Sequence, residues 1–193
     1  MERKNAYSGW TVVFGTICFI LIVIFLHMVQ PNYNPLEQQM SELALGRFGS
    51  FMFLAFSSFA LSIFALQIGL RQYQTPVILR LILIVAACCL LGAGFFRLNT
   101  ATDVHIALVS IAFVLIVLVM YLLPRNVPAF KTSVHKIISW ASGAGTATFV
   151  ALSQNIVPMG IGQRGATLCI LIWLVWIGRS LICNQKFRTT DVS

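Results

Sequence analysis

The chain has 193 residues, of which 59% are hydrophobic and only 9% are charged. A soluble globular domain carries about 45–50% apolar and about 25% charged residues. This composition therefore excludes a soluble protein, because too few residues could face water. It also excludes a disordered chain, because disordered chains contain far fewer apolar residues. A membrane-spanning helix needs about 20 apolar residues, so the length fits a single membrane domain with about six spans. That domain takes in residues 1–193.

Six apolar stretches follow one another along the chain, and the sequence predicts a transmembrane helix in each. They cover residues 9–29, 48–70, 76–96, 102–123, 133–153 and 165–182. Pro124 follows the fourth stretch directly and is expected to end it, because proline has no N–H to continue the helix. The predicted fold is all-α, a polytopic bundle of six transmembrane helices.

The longest predicted loop joins the first two spans and contains a helix signal of its own. Asn34 is a good N-cap, Pro35 suits the first helical position, Glu37 suits the third, and Gly46 is a natural stop. The apolar positions that share one face of such a helix are Leu36, Met40 and Leu43. We predict a short amphipathic helix at the membrane interface between spans one and two.

The Lys and Arg residues of the predicted loops are distributed unevenly. One side of the membrane holds ten: Arg3, Lys4, Arg71, Arg80, Arg125, Lys131, Lys136, Arg179, Lys186 and Arg188. The other side holds three: Arg47, Arg97 and Arg164. Because cytoplasmic loops are enriched in Lys and Arg, we predict an inner (plasma) membrane protein with both termini in the cytoplasm. The net charge of +8 then lies on the cytoplasmic face, where anionic lipid attracts basic residues. Because lipid explains this charge, no nucleic-acid partner is expected.

The fifth stretch is rich in small residues at helical spacing. Ser139, Gly143 and Ala147 lie four residues apart, and such a face allows a neighbouring helix to approach closely. The face could pack inside the monomer, form a homo-oligomer or line a ligand cavity.

Polar and ionisable residues from separate stretches of chain collect at the predicted outer surface. The candidate ligand-binding residues are Ser41, Glu42, Arg97, Asp103, His105 and Arg164. Charges at the membrane are costly unless they are paired, and they indicate function by default. We expect a pocket for a lipid headgroup or a small polar ligand, in which Glu42 pairs with Arg97 or Arg164. The alternative is that these side chains are simply solvated.

Signals for catalysis in the sequence are weaker. Zinc ligands could come from His27, Glu42, Asp103 and His105, although none of these has HxxxH spacing. Ser41 and His105 could act as nucleophile and base, and His27 and His105 could ligate haem. We expect no metal and no cofactor. A membrane-embedded lipid hydrolase, a small-molecule transporter and an accessory subunit stay open as alternatives.

Two runs of sequence carry a resemblance to a known family. They are Tyr33-Asn34-Pro35-Leu36 and Ser41-Glu42-Leu43-Ala44-Leu45-Gly46. Further matches are Phe95-Phe96, His105 and Gly162-Gln163-Arg164, whereas Arg97-Leu98-Asn99-Thr100 replaces a Pro-Thr-Asp-like turn. Over nearly its whole length the chain resembles an uncharacterised prokaryotic integral-membrane family, domain of unknown function family 998. The resemblance implies a six-helix bundle and brings no known reaction.

Overall fold

The computed structural model describes residues 3–153 and 156–190, with side chains for 6–153 and 156–183. Within those ranges the chain is all-helical. The long helices are α1 (Arg3–Val29), α2 (Phe51–Leu70), α3 (Val77–Phe95), α4 (Thr102–Asn126), α5 (Ser133–Leu152) and α6 (Met159–Thr190). Short 3₁₀ helices cover Met40–Leu45, Arg71–Tyr73 and Pro128–Phe130. The predicted all-α class is confirmed.

Within the described part of the chain, five helices are long and apolar enough to cross a membrane. These segments are Ala6–Val29, Phe51–Tyr73, Val77–Phe95, Thr102–Asn126 and Met159–Cys183. Their outward faces carry large exposed apolar side chains, among them Phe14 at 65% and Val114 at 67%. Water would not tolerate so much exposed apolar surface on a monomer, whereas lipid does. The chain is therefore a multi-pass membrane protein.

One end of the bundle, here called the Arg164 end, brings five helix termini together. His27 at the end of α1 lies against Arg164 at the start of α6, with 3.1 Å between His27 Nε2 and Arg164 Nη2. His105 in α4 reaches the Ala93 carbonyl near the end of α3, 2.8 Å from its Nδ1. Its ring meets Phe56 of α2 edge-on. Helices α1 and α3 thus end where α2, α4 and α6 begin.

The opposite end, here called the His135 end, is closed by aromatic contacts. Phe130 packs edge-on between Tyr73 and His135, with ring centroids 5.4 and 5.3 Å away. His135 Nε2 lies 3.2 Å from Ser180 Oγ on α6. Helix α5 therefore begins beside the far part of α6, and the two helices run antiparallel.

Helix α5 extends from the His135 end to the Arg164 end. Its last turns pack on the first turns of α6, where a Cβ added to Gly165 would lie 2.5 Å from Phe149 Cδ1. Its 20 residues correspond to about 30 Å of helix, close to the thickness of a hydrocarbon core. Its glycine, serine and threonine content keeps it out of the group of five apolar helices. The count of six spans stays a prediction.

The small residues of α5 are used inside the chain. Trp173 Nε1 of α6 donates to Ser139 Oγ over 3.1 Å, and both side chains are buried. A Cβ on Gly143 would lie 3.1 Å from Tyr121 Cε2 of α4, so the glycine permits close contact. Ala147, in contrast, is exposed. A homo-oligomer through this face stays a prediction.

The short helix predicted between the first two spans does not begin at Asn34. The loop instead forms a 3₁₀ helix over Met40–Leu45, preceded by Gln39. Glu42 accepts the Gln39 N–H at 2.8 Å, which is the capping interaction that the sequence had suggested for Glu37. Leu43 is fully buried, so the segment packs into the bundle.

The physical reason for this difference is a tertiary contact with α6. The carbonyls of Leu36 and Glu37 accept the N–H groups of Ile161 and Gly160, each over 3.2 Å. A regular helix would use those carbonyls four residues further along the same chain. The loop thus supplies acceptors to the first N–H groups of α6, which lack partners within their own helix.

The bounds of α4 and α6 also differ from the expectation. Helix α4 continues through Pro124 to Asn126, and the Val127 N–H closes it on the Leu123 carbonyl at 3.0 Å. Helix α6 begins at Met159, earlier than predicted, because the loop carbonyls stabilise its first turn.

Candidate functional site

Arg164 organises a polar cluster at the Arg164 end. Its Nη1 donates to the carbonyls of Gln38 and Gly160, both at 2.9 Å. Its Nη2 donates to His27 Nε2 and to the hydroxyl of Tyr33. The guanidinium therefore connects α1, the loop and α6, and its two terminal nitrogens are engaged by protein groups.

The partners of Arg164 are themselves held in place. His27 Nδ1 lies 2.6 Å from the Val23 carbonyl, which can only accept, so Nδ1 carries the proton and Nε2 accepts from Arg164. The Tyr33 hydroxyl is directed at the carbonyls of Gln38 and Gln39, 3.0 and 2.7 Å away. Burial raises the pKa of Tyr33, partly opposed by its hydrogen bond to Arg164. This cluster of Arg164, His27, Tyr33 and the Gln38 carbonyl is here called the latch. Its hydrogen-bonding groups are engaged with one another, so few of them are left for a ligand.

A cleft of about 650 Å³ lies beside this latch, between α4 and α5. Its apolar lining consists of Ile106, Val109, Phe113, Val114, Val117, Ala147, Val150, Ala151 and Met159. Its polar lining consists of Gln39, His105, Ser110, Thr146, Ser153 and Gln163. The volume lies in the range of about 300–1,000 Å³ that is usual for small-molecule sites.

Helices α4 and α5 are in close contact toward the His135 end. There Gly143 admits Tyr121, and Trp140 Nε1 donates to the Tyr121 carbonyl over 3.3 Å. Nearer the Arg164 end, Val114 on α4 and Ala147 on α5 both line the cleft. A small residue at 147 leaves the space between the helices unfilled.

His105 is the buried polar side chain of the cleft with an open position. It is 3% exposed. Its Nδ1 lies 2.8 Å from the Ala93 carbonyl and 2.9 Å from the Phe96 carbonyl, whereas its buried Nε2 has no hydrogen-bond partner. A buried polar atom without a partner is rare in folded proteins and calls for an explanation. His105 also lines the cleft, so this unpartnered nitrogen belongs to a residue of the cleft wall.

The amino-acid sequence matches the profile of one known family. The family described as "Protein of unknown function (DUF998)" matches residues 13–180, which is most of the chain. The chain belongs to the DUF998 family. The predicted resemblance is confirmed. Comparison with curated proteins gave no match, and comparison with solved structures gave none.

The predicted ion pair of Glu42 is not formed in this DUF998 protein. Glu42 accepts from Gln38 Nε2 at 3.1 Å and from the Gln39 N–H. Among the residues with described side chains it forms no ion pair with Arg97 or Arg164. Arg164 is occupied by the latch, and Arg97 is exposed in the loop between α3 and α4.

The remaining predicted site residues of this DUF998 protein separate into two groups. Asp103 is exposed like Arg97. Ser41 is buried and lines a small cavity of about 20 Å³, and its Oγ lies 3.4 Å from Gln39 Oε1. Since His105 Nε2 has no partner, the structure shows no serine–histidine pair. Of the six candidates, His105 alone lines the cleft.

Metal and haem ligation find little support in the geometry. Within residues whose side chains are described, no group of three or more His, Cys, Asp and Glu side chains could hold a metal ion. Both ring nitrogens of His27 are hydrogen-bonded, so neither is free to ligate haem in this conformation.

Two glutamines of this site were missed by sequence reasoning. Gln163 lines the cleft, and its Oε1 accepts the Met40 N–H at 2.6 Å. Gln39 lines the cleft beside it. The one available signal was the position of Gln163 within Gly162-Gln163-Arg164, and nothing in the sequence indicated that Gln39 would face α4.

Proposed function

We propose that this protein binds a membrane lipid in the cleft between α4 and α5. The observation that carries the proposal is a long apolar cavity with a buried, unpartnered His105 nitrogen at its polar end. An apolar pocket with a few convergent polar groups is the usual form of a ligand site. An amphiphile would place its tail along α4 and α5 and its polar part near His105, Gln39 and Gln163.

The walls of the cleft support entry from the bilayer. Ile106, Val114 and Val150 line it and are 45%, 67% and 39% exposed. In a membrane these exposed faces meet acyl chains, so a lipid tail can enter sideways without crossing water. A soluble ligand would instead have to reach an apolar groove through the headgroup layer.

We further propose that α5 is a sixth membrane crossing, with both termini in the cytoplasm. Its length and its outward apolar residues, such as Ile137 at 65% exposed, support a crossing. The Lys and Arg distribution supports the orientation. The Arg164 end then faces away from the cytoplasm, and the cleft opens to the extracytoplasmic leaflet.

The alternatives proposed from the sequence receive less support. A hydrolase needs a nucleophile or a metal beside His105, and Ser41 is directed at Gln39 instead. A transporter typically has broken helices near the midplane, and among the residues the structure describes α4 and α5 are continuous. An accessory subunit that binds lipid is compatible with the same cleft.

The proposal is tested with a substitution whose side chain fills the cleft. Ala147→Trp would place an indole between α4 and α5, and Ala141→Trp is the matched control, because Ala141 is exposed on α5 but does not line the cleft. Protein purified in mild detergent is analysed by native mass spectrometry for retained lipid. We expect bound lipid on the parent and on Ala141→Trp, and its loss from Ala147→Trp. Equal lipid on all three, or none on the parent, would contradict the proposal.

A further inference from the structure

We propose that the lipid in the cleft is uncharged and donates a free hydroxyl to Nε2 of His105. This inference rests on the proposed function and names its ligand class. A neutral glycerolipid such as diacylglycerol has the required chemistry, with two apolar tails and one hydroxyl. The tautomer of His105 and the uncharged lining of the cleft support this ligand class.

The tautomer follows from the two carbonyls at Nδ1. The Ala93 and Phe96 oxygens lie 2.8 and 2.9 Å from Nδ1, and a carbonyl oxygen can only accept. Nδ1 therefore carries the hydrogen and shares it between the two carbonyls. In the neutral ring the other nitrogen, Nε2, is then an acceptor. The group that completes this site must be a donor.

The charge of the cleft restricts the donor further. Among the residues that the structure describes, its lining contains no Lys, Arg, Asp or Glu. An anionic phosphate would find no cation there, because the nearby Arg164 is engaged by Gln38, Gly160, His27 and Tyr33. An ammonium donor would find no carboxylate in the lining. Since a buried charge without a partner is costly, a hydroxyl is the donor that fits.

The two glutamines make the polar end suitable for a glycerol backbone. Gln163 Oε1 already accepts the Met40 N–H at 2.6 Å. The side-chain NH₂ group of a glutamine can donate to an ester carbonyl. The polar end thus offers an acceptor for the hydroxyl and side-chain amides for the esters. The apolar walls below it accommodate acyl chains.

The experiment compares two ligands that differ in one hydrogen-bond donor, the free hydroxyl of the glycerol. Purified protein in phosphatidylcholine nanodiscs is photolabelled with a diazirine diacylglycerol. Competitors are 1,2-dioleoylglycerol, its 3-O-methyl ether and dioleoyl phosphatidic acid. The methyl ether keeps the tails and esters but has no hydroxyl hydrogen. We expect dioleoylglycerol to compete roughly tenfold better than the ether, the effect of one hydrogen bond, and the phosphatidic acid to compete worst.

Two variants at His105 test the roles of its two ring nitrogens separately. His105→Asn keeps an amide that can donate to the Ala93 and Phe96 carbonyls, and it removes the group at the Nε2 position. We expect it to bind the ether and dioleoylglycerol equally. His105→Gln places an acceptor near the Nε2 position and should retain part of the preference. Both variants are compared with the parent by thermal unfolding, so a folding defect is recognised.

The outcomes distinguish this inference from the proposed function. If dioleoylglycerol and its ether compete equally, and Ala147→Trp abolishes labelling, the cleft binds lipid and the hydroxyl preference is refuted. Stronger competition by phosphatidic acid would also overturn it. If labelling of the parent is no greater than that of Ala147→Trp, both the lipid site and its ligand class fail.

Discussion

Arg164 and His27 lie at opposite ends of the sequence, yet 3.1 Å separates Arg164 Nη2 from His27 Nε2. The contact joins the last turn of α1 to the first turns of α6. His27 accepts this hydrogen bond because its other nitrogen is committed to the Val23 carbonyl. A basic residue thus serves as an acceptor for another basic residue, and this relationship supports several predictions.

The first prediction concerns the latch. Arg164→Lys keeps the positive charge but cannot reach all the acceptors that the planar guanidinium bonds. We expect it to lower the free energy of unfolding by about 1.5–3 kcal/mol, the usual value of a hydrogen bond to a charged group. Thermal unfolding in detergent measures this. Arg97→Lys is the control, because Arg97 is exposed, and it should melt like the parent. If both variants melt alike, the latch does not stabilise the bundle.

The second prediction concerns the contact between α6 and the loop. A Cβ on Gly160 would lie 2.6 Å from the carbonyl oxygens of Pro35, Leu36 and Gln38. Backbone cannot move aside as a side chain does, so Gly160→Ala should destabilise the protein by about 1–3 kcal/mol.

Gly92→Ala is the matched control for that prediction. Its added Cβ would meet the flexible end of Leu108 at 3.1 Å, and alanine is the better residue inside a helix. We expect its melting temperature in detergent to equal that of the parent or exceed it. A Gly160→Ala protein as stable as Gly92→Ala would refute the close approach.

The third prediction concerns alkaline pH. Burial raises the pKa of Tyr33 above its ordinary value of 10.0. The folded state thus favours the neutral phenol, and its contribution to stability is complete below pH 10 and is lost as pH rises further. The stability advantage of the parent over Tyr33→Phe should therefore shrink above pH 10. Melting curves of both proteins across this range measure the difference, and a constant difference would argue against a buried phenol.

The fourth prediction concerns topology. After replacement of the native cysteines, single cysteines at Asn99 and Ile156 should react with a membrane-impermeant maleimide from outside the cell. A cysteine at Lys131 should be protected until the membrane is opened. Ile156 is 75% exposed, and it follows α5, so its labelling reports whether α5 crosses. Protection of the cysteine at 156 in intact cells would favour five crossings.

The position of His105 could be predicted from the sequence, because the local signals for the start of the fourth helix agreed with the tertiary structure. The sequence placed His105 at the start of the fourth helix, close to the predicted outer surface, and the structure places it in α4 beside the cleft. Glu42 and Arg164 were also expected at that surface. The partners that the two residues actually have were not predictable, because they depended on which acceptors the folded loop would present to the guanidinium.

The sequence by itself determined the class of the protein. With 59% hydrophobic residues, the chain can bury its surface only in lipid, and helices satisfy every backbone hydrogen bond there. Periodicity and composition are local properties, so they located all six long helices, although the first began six residues earlier than predicted and the sixth extended beyond both predicted ends. The resemblance in residues 33–36 and 41–46 likewise needed no structure.

Tertiary structure alone decided the loop and the site. Asn34 and Pro35 signal a helix start locally, yet the carbonyls of Leu36 and Glu37 bond to α6 instead. Whether His105 Nε2 would be left without a partner depended on how α3 and α4 meet. The cleft likewise lies between two helices, α4 and α5, whose close contact at Gly143 depends on residues distant in the sequence. These features depend on contacts between distant segments, whose geometry no local pattern in the sequence encodes.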